Sequence, residues 1–196
     1  MSNLMEKLTG LKKIKTAVFI SGKGSNLKNL IKFSKIKKSP ISIDLIISNT
    51  NKAKGLKYGN LFKIKKKIIN FKNFKSAEKD ILTLTVNKKI NFICLAGFMK
   101  ILSKNFIKKF NGKIVNIHPS LLPKYKGLNT HEKAIINKDK FAGCTVHYVT
   151  AQLDSGKIIL QKKIKIATKD DSNSLAQKVL KQEYKLYPAA ILKIFS

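Results

Sequence analysis

Short apolar runs alternate with Lys-rich segments of helical periodicity along most of the chain, and this alternation constrains the fold more than any other feature. The apolar runs predict strands at residues 16–21, 41–48, 67–70, 91–96, 113–117, 143–149 and 157–166. The segments between them predict helices at about 25–37, 52–62, 76–89, 104–110, 130–137 and from 172 onwards. Such alternation is typical of a mostly parallel sheet with helices on both faces, so the sequence predicts an α/β fold.

The composition is that of a single globular domain. Hydrophobic residues make up 43% of the 196 residues, and no apolar run approaches the ~20 residues that a membrane span needs. The first apolar stretch, 17–20, is too short for the core of a signal peptide, and the two cysteines, Cys94 and Cys144, are too few for a disulfide framework. We therefore expect a cytoplasmic protein without a membrane partner, with one domain over residues 16–196 and a helical or frayed extension over residues 1–15.

The net charge of +31 would ordinarily indicate a nucleic-acid partner. All 41 basic residues are lysines, however, and they are spread almost evenly along the chain. Arginine, whose planar fork suits phosphate and guanine recognition, is absent. A compositionally biased, AT-rich genome explains this pattern more simply. A basic nucleic-acid-binding protein remains the non-enzyme alternative, and it predicts steeply salt-dependent binding to DNA or RNA.

A glycine-containing turn, residues 21–26, lies between the first predicted strand and the first predicted helix. Glycines allow the backbone to approach an anion closely, and a helix N-terminus presents free N–H groups to it, so this turn suits a phosphate. It is not a dinucleotide fingerprint, because Leu27 occupies the place of the third glycine and Asn49 follows the second strand where an acid is expected. A tight strand–helix connection without a ligand remains the alternative.

Three further polar residues form a candidate reaction centre. Asn116 and His118 are two positions apart on a predicted strand and therefore point to the same face, at the strand end where open α/β sheets bind ligands. An amide that donates to an oxyanion, beside an imidazole that shuttles a proton, suits acyl-type transfer. Asp154, in a loop between two later strands, could fix the tautomer of such an imidazole and favour its protonated form. A strand cap for His118 and a turn for Asp154 are the structural alternatives.

The remaining candidates favour structural roles. Cys94 and Cys144 lie inside predicted strands and are interpreted as small core residues, and His147 as a packed or sheet-facing histidine. The three histidines lack the spacing of a zinc site, so we expect no metal.

Four stretches together resemble the phosphoribosylglycinamide formyltransferase family. They are Phe19-Ile-Ser-Gly-Lys-Gly-Ser-Asn-Leu27, Leu95-Ala-Gly-Phe-Met-Lys-Ile-Leu102, Asn116-Ile-His-Pro-Ser-Leu-Leu-Pro-Lys-Tyr125, and Val146-His-Tyr-Val-Thr with Leu153-Asp and Ile159-Leu-Gln161. In order and spacing the resemblance covers about residues 16–190. It implies a Rossmann-like α/β fold, with a phosphate-binding half over about 16–110 and a catalytic half over about 111–196.

The resemblance also implies a reaction and its residues. The formyl group of 10-formyltetrahydrofolate would pass to the amino group of 5′-phosphoribosylglycinamide in purine biosynthesis, by direct attack through a tetrahedral intermediate, in a monomer or homodimer. The residues implied for catalysis are Asn116, His118 and Asp154. Those implied for the ribose phosphate are Gly24, Ser25, Asn26 and Glu183. Those implied for the formyl donor are Met99, Lys100, Ile101, Leu102, Asn116, Thr150, Ala151, Gln152, Leu153 and Asp154.

Some positions depart from the family pattern. Lys100 stands where an arginine is usual, and Lys75 or Lys79 is the nearest cation to a second missing arginine that contacts the carboxylate tail of the folate. Asn129 replaces a common histidine, and residues 151–152 replace common acids. The Leu122–Pro123 bond is expected to be cis, as the tightly folded loop of the family implies.

Two related enzymes remain alternatives. Methionyl-tRNA formyltransferase shares the central motif but usually carries a carboxyl-terminal tRNA-binding domain, for which we expect no room here. Formyltetrahydrofolate deformylase usually carries an amino-terminal regulatory domain, for which residues 1–15 are too short.

Overall fold

The computed structural model describes residues 13–196. The strands are β1 (Ile14–Ile20), β2 (Ile41–Ser48), β3 (Lys65–Ile68), β4 (Phe92–Leu95), β5 (Lys113–His118), β6 (Phe141–Tyr148) and β7 (Ile158–Lys165). The helices are α1 (Ser25–Ser34), α2 (Lys57–Leu61), α3 (Phe74–Asn87), α4 (Lys104–Lys109), α5 (Thr130–Ile136) and α6 (Ser172–Phe195), with a 3₁₀ helix at Lys54–Leu56. Most of the extension expected over residues 1–15 lies outside the described residues, and residues 14 and 15 belong to β1.

Within the described residues the seven strands form one sheet in the order β3-β2-β1-β4-β5-β6-β7. Strands β1 to β5 pair in parallel, whereas β6 and β7 pair antiparallel to their neighbours. The predicted α/β fold with a mostly parallel sheet is therefore confirmed. The chain runs from β1 outward to β2 and β3 and then crosses back to place β4 on the other side of β1. Open α/β sheets bind ligands in the crevice at such a switch in strand order.

Apolar side chains fill one core on each face of the sheet. Because successive strand residues point to opposite faces, β1 contributes Val18 and Ile20 to one core and Ala17 and Phe19 to the other. Helices α1 and α6 cover the first face, and α3 and α4 cover the second. None of the helices within residues 13–196 is long and apolar enough to cross a membrane.

The local predictions differ from the structure mainly at the β3 edge. Strand β3 lies at Lys65–Ile68 rather than 67–70, and all four of its residues are exposed. Its position is set by parallel pairing with β2, not by its own hydrophobicity, and lysines on an edge strand discourage pairing with another chain. The helix predicted over 52–62 is split into a 3₁₀ turn and α2, with Gly55 packed against the preceding glycine turn.

Both cysteines are buried in strands and free, as predicted. Burial raises the pKa of the Cys94 thiol far above its ordinary range and that of Cys144 to about 12. Both thiols therefore stay protonated and serve as packing groups rather than nucleophiles.

Candidate active site

A cleft of about 880 Å³ lies across the carboxyl ends of the central parallel strands. The turn after β1, the segment after β4 and the end of β5 line it, together with residues of the β6–β7 loop and of α6. The polar residues predicted separately along the sequence therefore meet in one concavity, which is the usual form of a small-molecule site.

The glycine turn occupies one end of this cleft. Gly24 has a φ of +73°, a left-handed conformation that glycine adopts without strain, and it directly precedes α1. A Cβ at Gly24 would lie 2.6 Å from the Cα of Gly55, so only glycine allows this close approach. The first turn of α1, beginning at Ser25, contains no acidic side chain, and its free N–H groups suit an anion.

A buried amide–carboxyl pair lies beside this turn. Asn26 Nδ2 donates to Glu183 Oε2 at 2.6 Å, joining α1 to α6 across 157 positions of sequence. Burial raises the pKa of Glu183, although the hydrogen bond from Asn26 opposes the shift. Asn26 Oδ1 is buried and accepts no hydrogen bond within the described residues, so it offers an acceptor to a ligand in the cleft.

Strand β5 and the β6–β7 loop bring the three predicted catalytic residues together. His118 Nδ1 lies 3.4 Å from Asp154 Oδ2, and Asn116 Nδ2 lies 3.5 Å from Asp154 Oδ1. Asp154 has a φ of +47°, and the Gly127 N–H donates to its Oδ2 at 2.8 Å. All three side chains line the cleft. The structure thus brings together residues up to 38 positions apart.

Two oxygen atoms face the ring nitrogens of His118, and a neutral ring donates its single N–H to only one of them. Its Nε2 lies 2.9 Å from the Tyr125 carbonyl oxygen, and its Nδ1 faces Asp154. Burial lowers the pKa of His118 below its ordinary value, and the contacts with Tyr125 and Asp154 only partly oppose this. The expectation that Asp154 raises the pKa of this histidine is correct in sign, but burial outweighs it. The resting ring is therefore neutral at neutral pH.

Asp154 remains ionised in this setting. Burial by itself would raise the pKa of Asp154, but the hydrogen bond from the Gly127 N–H and the neighbouring histidines hold it below its ordinary value. A carboxylate next to a neutral imidazole can stabilise the imidazolium that forms when the ring accepts a proton.

His147 belongs to this cluster, although the sequence indicated only a packed histidine. Its Nε2 lies 3.2 Å from Asn116 Nδ2 and 3.6 Å from Asp154 Oδ1. An N–H at its Nδ1 donates to the Tyr148 carbonyl at 2.9 Å, which leaves Nε2 as an acceptor for the amide of Asn116. The antiparallel register places His147 directly opposite Asn116, and single-sequence periodicity does not reveal such a register.

The loop after His118 is tied down at several points. Thr130 Oγ1 donates to the Pro119 carbonyl at 2.8 Å, and Thr145 Oγ1 donates to the Ser120 carbonyl at 2.6 Å. Gln161 Nε2 donates to the Leu122 carbonyl at 3.0 Å. The Leu122–Pro123 peptide bond is cis, as expected. These contacts fix the carbonyl of Tyr125 against the ring of His118.

The residues predicted for the formyl donor lie at the other end of the cleft. Met99, Lys100 and Ile101 line the large cleft, and a smaller cavity of about 70 Å³ continues from it. The predicted residues that line the smaller cavity are Lys100, Ile101, Leu102, Asn116, Thr150, Gln152, Leu153 and Asp154. Ala151 is exposed and lines neither cavity.

The cations beside this end are lysines. Lys100 Nζ lies 6.0 Å from the centre of the Phe74 ring, at the outer edge of a cation–π contact, whereas Lys75 and Lys79 are exposed on α3. Within residues 13–196 no group of three or more His, Cys, Asp or Glu side chains is arranged to hold a metal ion.

Known proteins share this arrangement of elements and sequence. Residues 14–191 match the family described as "Formyl transferase". The "Phosphoribosylglycinamide formyltransferase" of Haemophilus influenzae is 40% identical over 180 residues, which cover 90% of this chain and 85% of that protein. A crystal structure of phosphoribosylglycinamide formyltransferase from Brucella melitensis matches with a TM-score of 0.88 and 39% identity, covering 93% of this chain and 96% of that one.

Larger proteins match over part of their length. The "Trifunctional purine biosynthetic protein adenosine-3" of Homo sapiens is 41% identical over 188 residues, which cover 94% of this chain. The match covers 19% of that protein, so this chain spans about a fifth of its length.

Proposed function

This chain belongs to the formyl transferase family, and from that membership we propose that it transfers the formyl group of 10-formyltetrahydrofolate to the amino group of 5′-phosphoribosylglycinamide. One observation carries the proposal. A single cleft has a glycine turn suited to an anion at one end, an extension lined by apolar and polar side chains at the other, and Asn116, His118 and Asp154 between them.

The acceptor substrate carries a phosphate, ribose hydroxyls and an amine. The turn of residues 22–26, with the N-terminus of α1, would hold the phosphate through backbone N–H groups. Glu183 and the unpartnered Oδ1 of Asn26 would accept hydrogen bonds from the ribose hydroxyls. Since arginine is absent, this anion site depends on backbone amides and on lysine point charges.

The formyl donor has a flat ring system and an anionic tail, and it is consumed as a second substrate. Exposed apolar side chains at the donor end of the cleft, Met99, Ile101 and Leu153, offer contact area for rings. The backbone of residues 150–154 would supply polar groups, and Lys100 would attract the tail. The residues present therefore fit the donor in chemistry.

Asn116 is suited to stabilising the developing oxyanion. When the acceptor amine attacks the formyl carbon, a nitrogen–carbon bond forms and negative charge moves to the formyl oxygen. The contacts of Asn116 Nδ2 with His147 and Asp154 are 3.2 and 3.5 Å, at or beyond the long limit of N–H hydrogen bonds. The amide N–H groups can therefore strengthen their interaction with an oxyanion as it forms.

His118 and Asp154 are suited to moving the proton. The attacking amine loses a proton, the carbon–nitrogen bond to the folate breaks, and the folate nitrogen gains a proton, so the exchange balances. His118 is neutral at rest and can accept the proton directly or through a water, while ionised Asp154 stabilises the resulting imidazolium. The proton then passes to the leaving nitrogen.

The proposal extends to the setting of the reaction. We propose that the phosphate-binding half over about 16–110 and the catalytic half over about 111–196 form one unit. The substrates are small anions, and the enzyme acts in the cytoplasm as a monomer or homodimer. Evenly distributed lysines would help to attract both substrates.

A coupled assay tests the function. The purified chain is incubated with 10-formyltetrahydrofolate alone, with added 5′-phosphoribosylglycinamide or with added methionyl-tRNA, and mass spectrometry follows the formylated acceptor and free formate. We expect formylation only when the acceptor is present. Release of formate without acceptor would indicate a deformylase, and formylation of methionyl-tRNA alone would indicate the tRNA enzyme. Either result would overturn the proposal.

A further inference from the structure

The backbone of the donor-side wall of the cleft forms hydrogen bonds with one residue outside the cleft. Residues 97–102, between β4 and α4, have no regular secondary structure. Within the described chain, the backbone of this segment makes two hydrogen bonds, and both are to Ser21. The Ser21 N–H donates to the Gly97 carbonyl at 3.0 Å, and the Met99 N–H donates to Ser21 Oγ at 2.8 Å.

The hydroxyl of Ser21 has a fixed orientation. Its proton is donated to Asn49 Oδ1 at 2.5 Å, just beyond the end of β2. Because a hydroxyl has one proton, this bond turns the oxygen lone pairs toward the N–H of Met99. Ser21 thereby links the carboxyl ends of β2, β1 and β4, and the last two strands flank the switch in strand order.

Ser21 is also the residue from which the phosphate-binding turn begins. The Gly55 N–H donates to the Gly22 carbonyl at 2.9 Å, and Gly24 is in close contact with Gly55, so the turn is clamped on its far side. Because the far side of the turn is held, a ligand bound to the turn adds a restraint on Ser21, and through Ser21 on the position of Met99. Ser21 itself lines neither the large cleft nor the smaller cavity.

We propose that Ser21 is a positioning residue that couples the two substrate sites, so that occupation of the phosphate-binding turn orders the donor segment 97–102. The inference rests on the proposed function, because that function assigns an acceptor to the turn and a donor to the segment. Coupling of this kind is reciprocal: each ligand increases the affinity for the other by the same factor.

Dead-end binding measures this coupling without turnover. Tetrahydrofolate lacks the formyl group, so it binds beside 5′-phosphoribosylglycinamide without reacting. Calorimetry gives the Kd of tetrahydrofolate with and without saturating acceptor. For the unaltered protein we expect the ratio of the Kd without acceptor to the Kd with acceptor to be roughly five or more, where five is the lower end of ordinary coupling. Ser21→Ala should bring this ratio close to one, and Ser21→Thr, which keeps the hydroxyl, should restore most of it.

Ser42→Ala is the matched control, because Ser42 Oγ donates to Asp44 on the same strand, away from the cleft. It should leave the ratio unchanged. If Ser21→Ala fails to fold, Asn49→Ala removes the acceptor that orients the hydroxyl and should lower the ratio partly. If Ser21→Ala, or Asn49→Ala in its place, leaves the ratio of the two tetrahydrofolate Kd values unchanged, the coupling is refuted. This holds even if the variant binds tetrahydrofolate more weakly both with and without acceptor. Formyl transfer by the unaltered protein, measured separately, tests the function itself.

Discussion

The two ends of the cleft are built in different ways. The acceptor end is a turn of five consecutive residues, 22–26, with distant contacts to Gly55 and Glu183. The reaction centre joins side chains from β5, β6 and the β6–β7 loop, and its geometry depends on antiparallel pairing between Asn116 and His147. A local backbone conformation therefore defines the first region, whereas the second exists only when three distant segments meet.

This difference predicts different responses to mutation. Damage to the turn should act on backbone conformation and acceptor affinity. Damage to the reaction centre should act on turnover with little effect on binding, because its side chains serve the transition state.

Asp154→Asn should have the largest effect and would test the reaction centre alone. The side chain keeps its size but loses the charge that stabilises an imidazolium on His118, so kcat should fall roughly 100- to 10,000-fold, the usual contribution of acid–base catalysis. The KM values should change little in steady-state assays. Asp139→Asn is the control, since Asp139 pairs with Lys124 at 2.7 Å outside the large cleft. Near-normal turnover of Asp154→Asn would remove Asp154 from the reaction.

Gly24→Ala should have the next largest effect and would test the turn. Its positive φ and the 2.6 Å approach to the Cα of Gly55 impose strain on any side chain, costing about 1–3 kcal/mol. We expect the KM for the acceptor to rise roughly tenfold or more, in line with that strain, while kcat changes less. Gly22→Ala meets no atom within 4 Å and should have a much smaller effect. Equal effects of the two variants would contradict a conformational role for Gly24.

His147→Gln should have a smaller effect, because His147 acts through its neighbours. Loss of its contact with Asn116 should lower kcat by roughly fivefold, about the free energy of one hydrogen bond. The double variant with Asp154→Asn should be no slower than Asp154→Asn alone, since residues that work as a unit are not additive. Multiplicative losses would mean that His147 acts independently of Asp154.

The smallest expected effect is a difference in how the two regions respond to pH. Burial lowers the pKa values of His118 and His131. Below about pH 6.5, the ordinary histidine pKa, the unfolded chain therefore binds more protons than the folded chain. Acid consequently destabilises the folded protein. Burial raises the pKa of Glu183, so above the ordinary carboxyl pKa the folded chain binds more protons than the unfolded chain. The contribution of Glu183 to the free energy of unfolding therefore falls as pH rises through the raised pKa.

Melting temperatures at pH 7.5 and 5.5 would separate these contributions. The gain in melting temperature from Glu183→Gln should grow as pH rises above the ordinary carboxyl pKa, because the substitution removes a buried carboxylate that costs stability when ionised. His131→Asn should reduce the loss of stability in acid. Shifts of a few degrees are expected for a domain of this size. Parallel pH dependence in all three proteins would contradict both assignments.

Much of the acceptor end could be predicted from sequence. The apolar strand, the glycines and the helix that begins at Ser25 are consecutive, and local sterics determine the left-handed conformation of Gly24. The reaction-centre residues Asn116 and His118 were also predictable, since strand alternation places them on one face. Asp154 needed the family resemblance, because a turn-forming aspartate by itself carries little information.

His147 and Ser21 illustrate what the sequence did not reveal. His147 was correctly predicted to be packed, but its proximity to Asn116 follows from the β5–β6 register, which long-range pairing determines. From sequence alone Ser21 is only the first residue of a turn, whereas its contacts with Asn49 and Met99 span 28 and 78 positions.

The sequence by itself determined the alternation of strands and helices, the glycine turn and the identity of the polar residues, because these depend on neighbours a few positions apart. The tertiary structure decided the order of the strands, the neutral state of the buried His118 and the meeting of Asn116, His147 and Asp154. Burial and register arise only when distant segments pack together, and both the electrostatics and the geometry of this cleft depend on them.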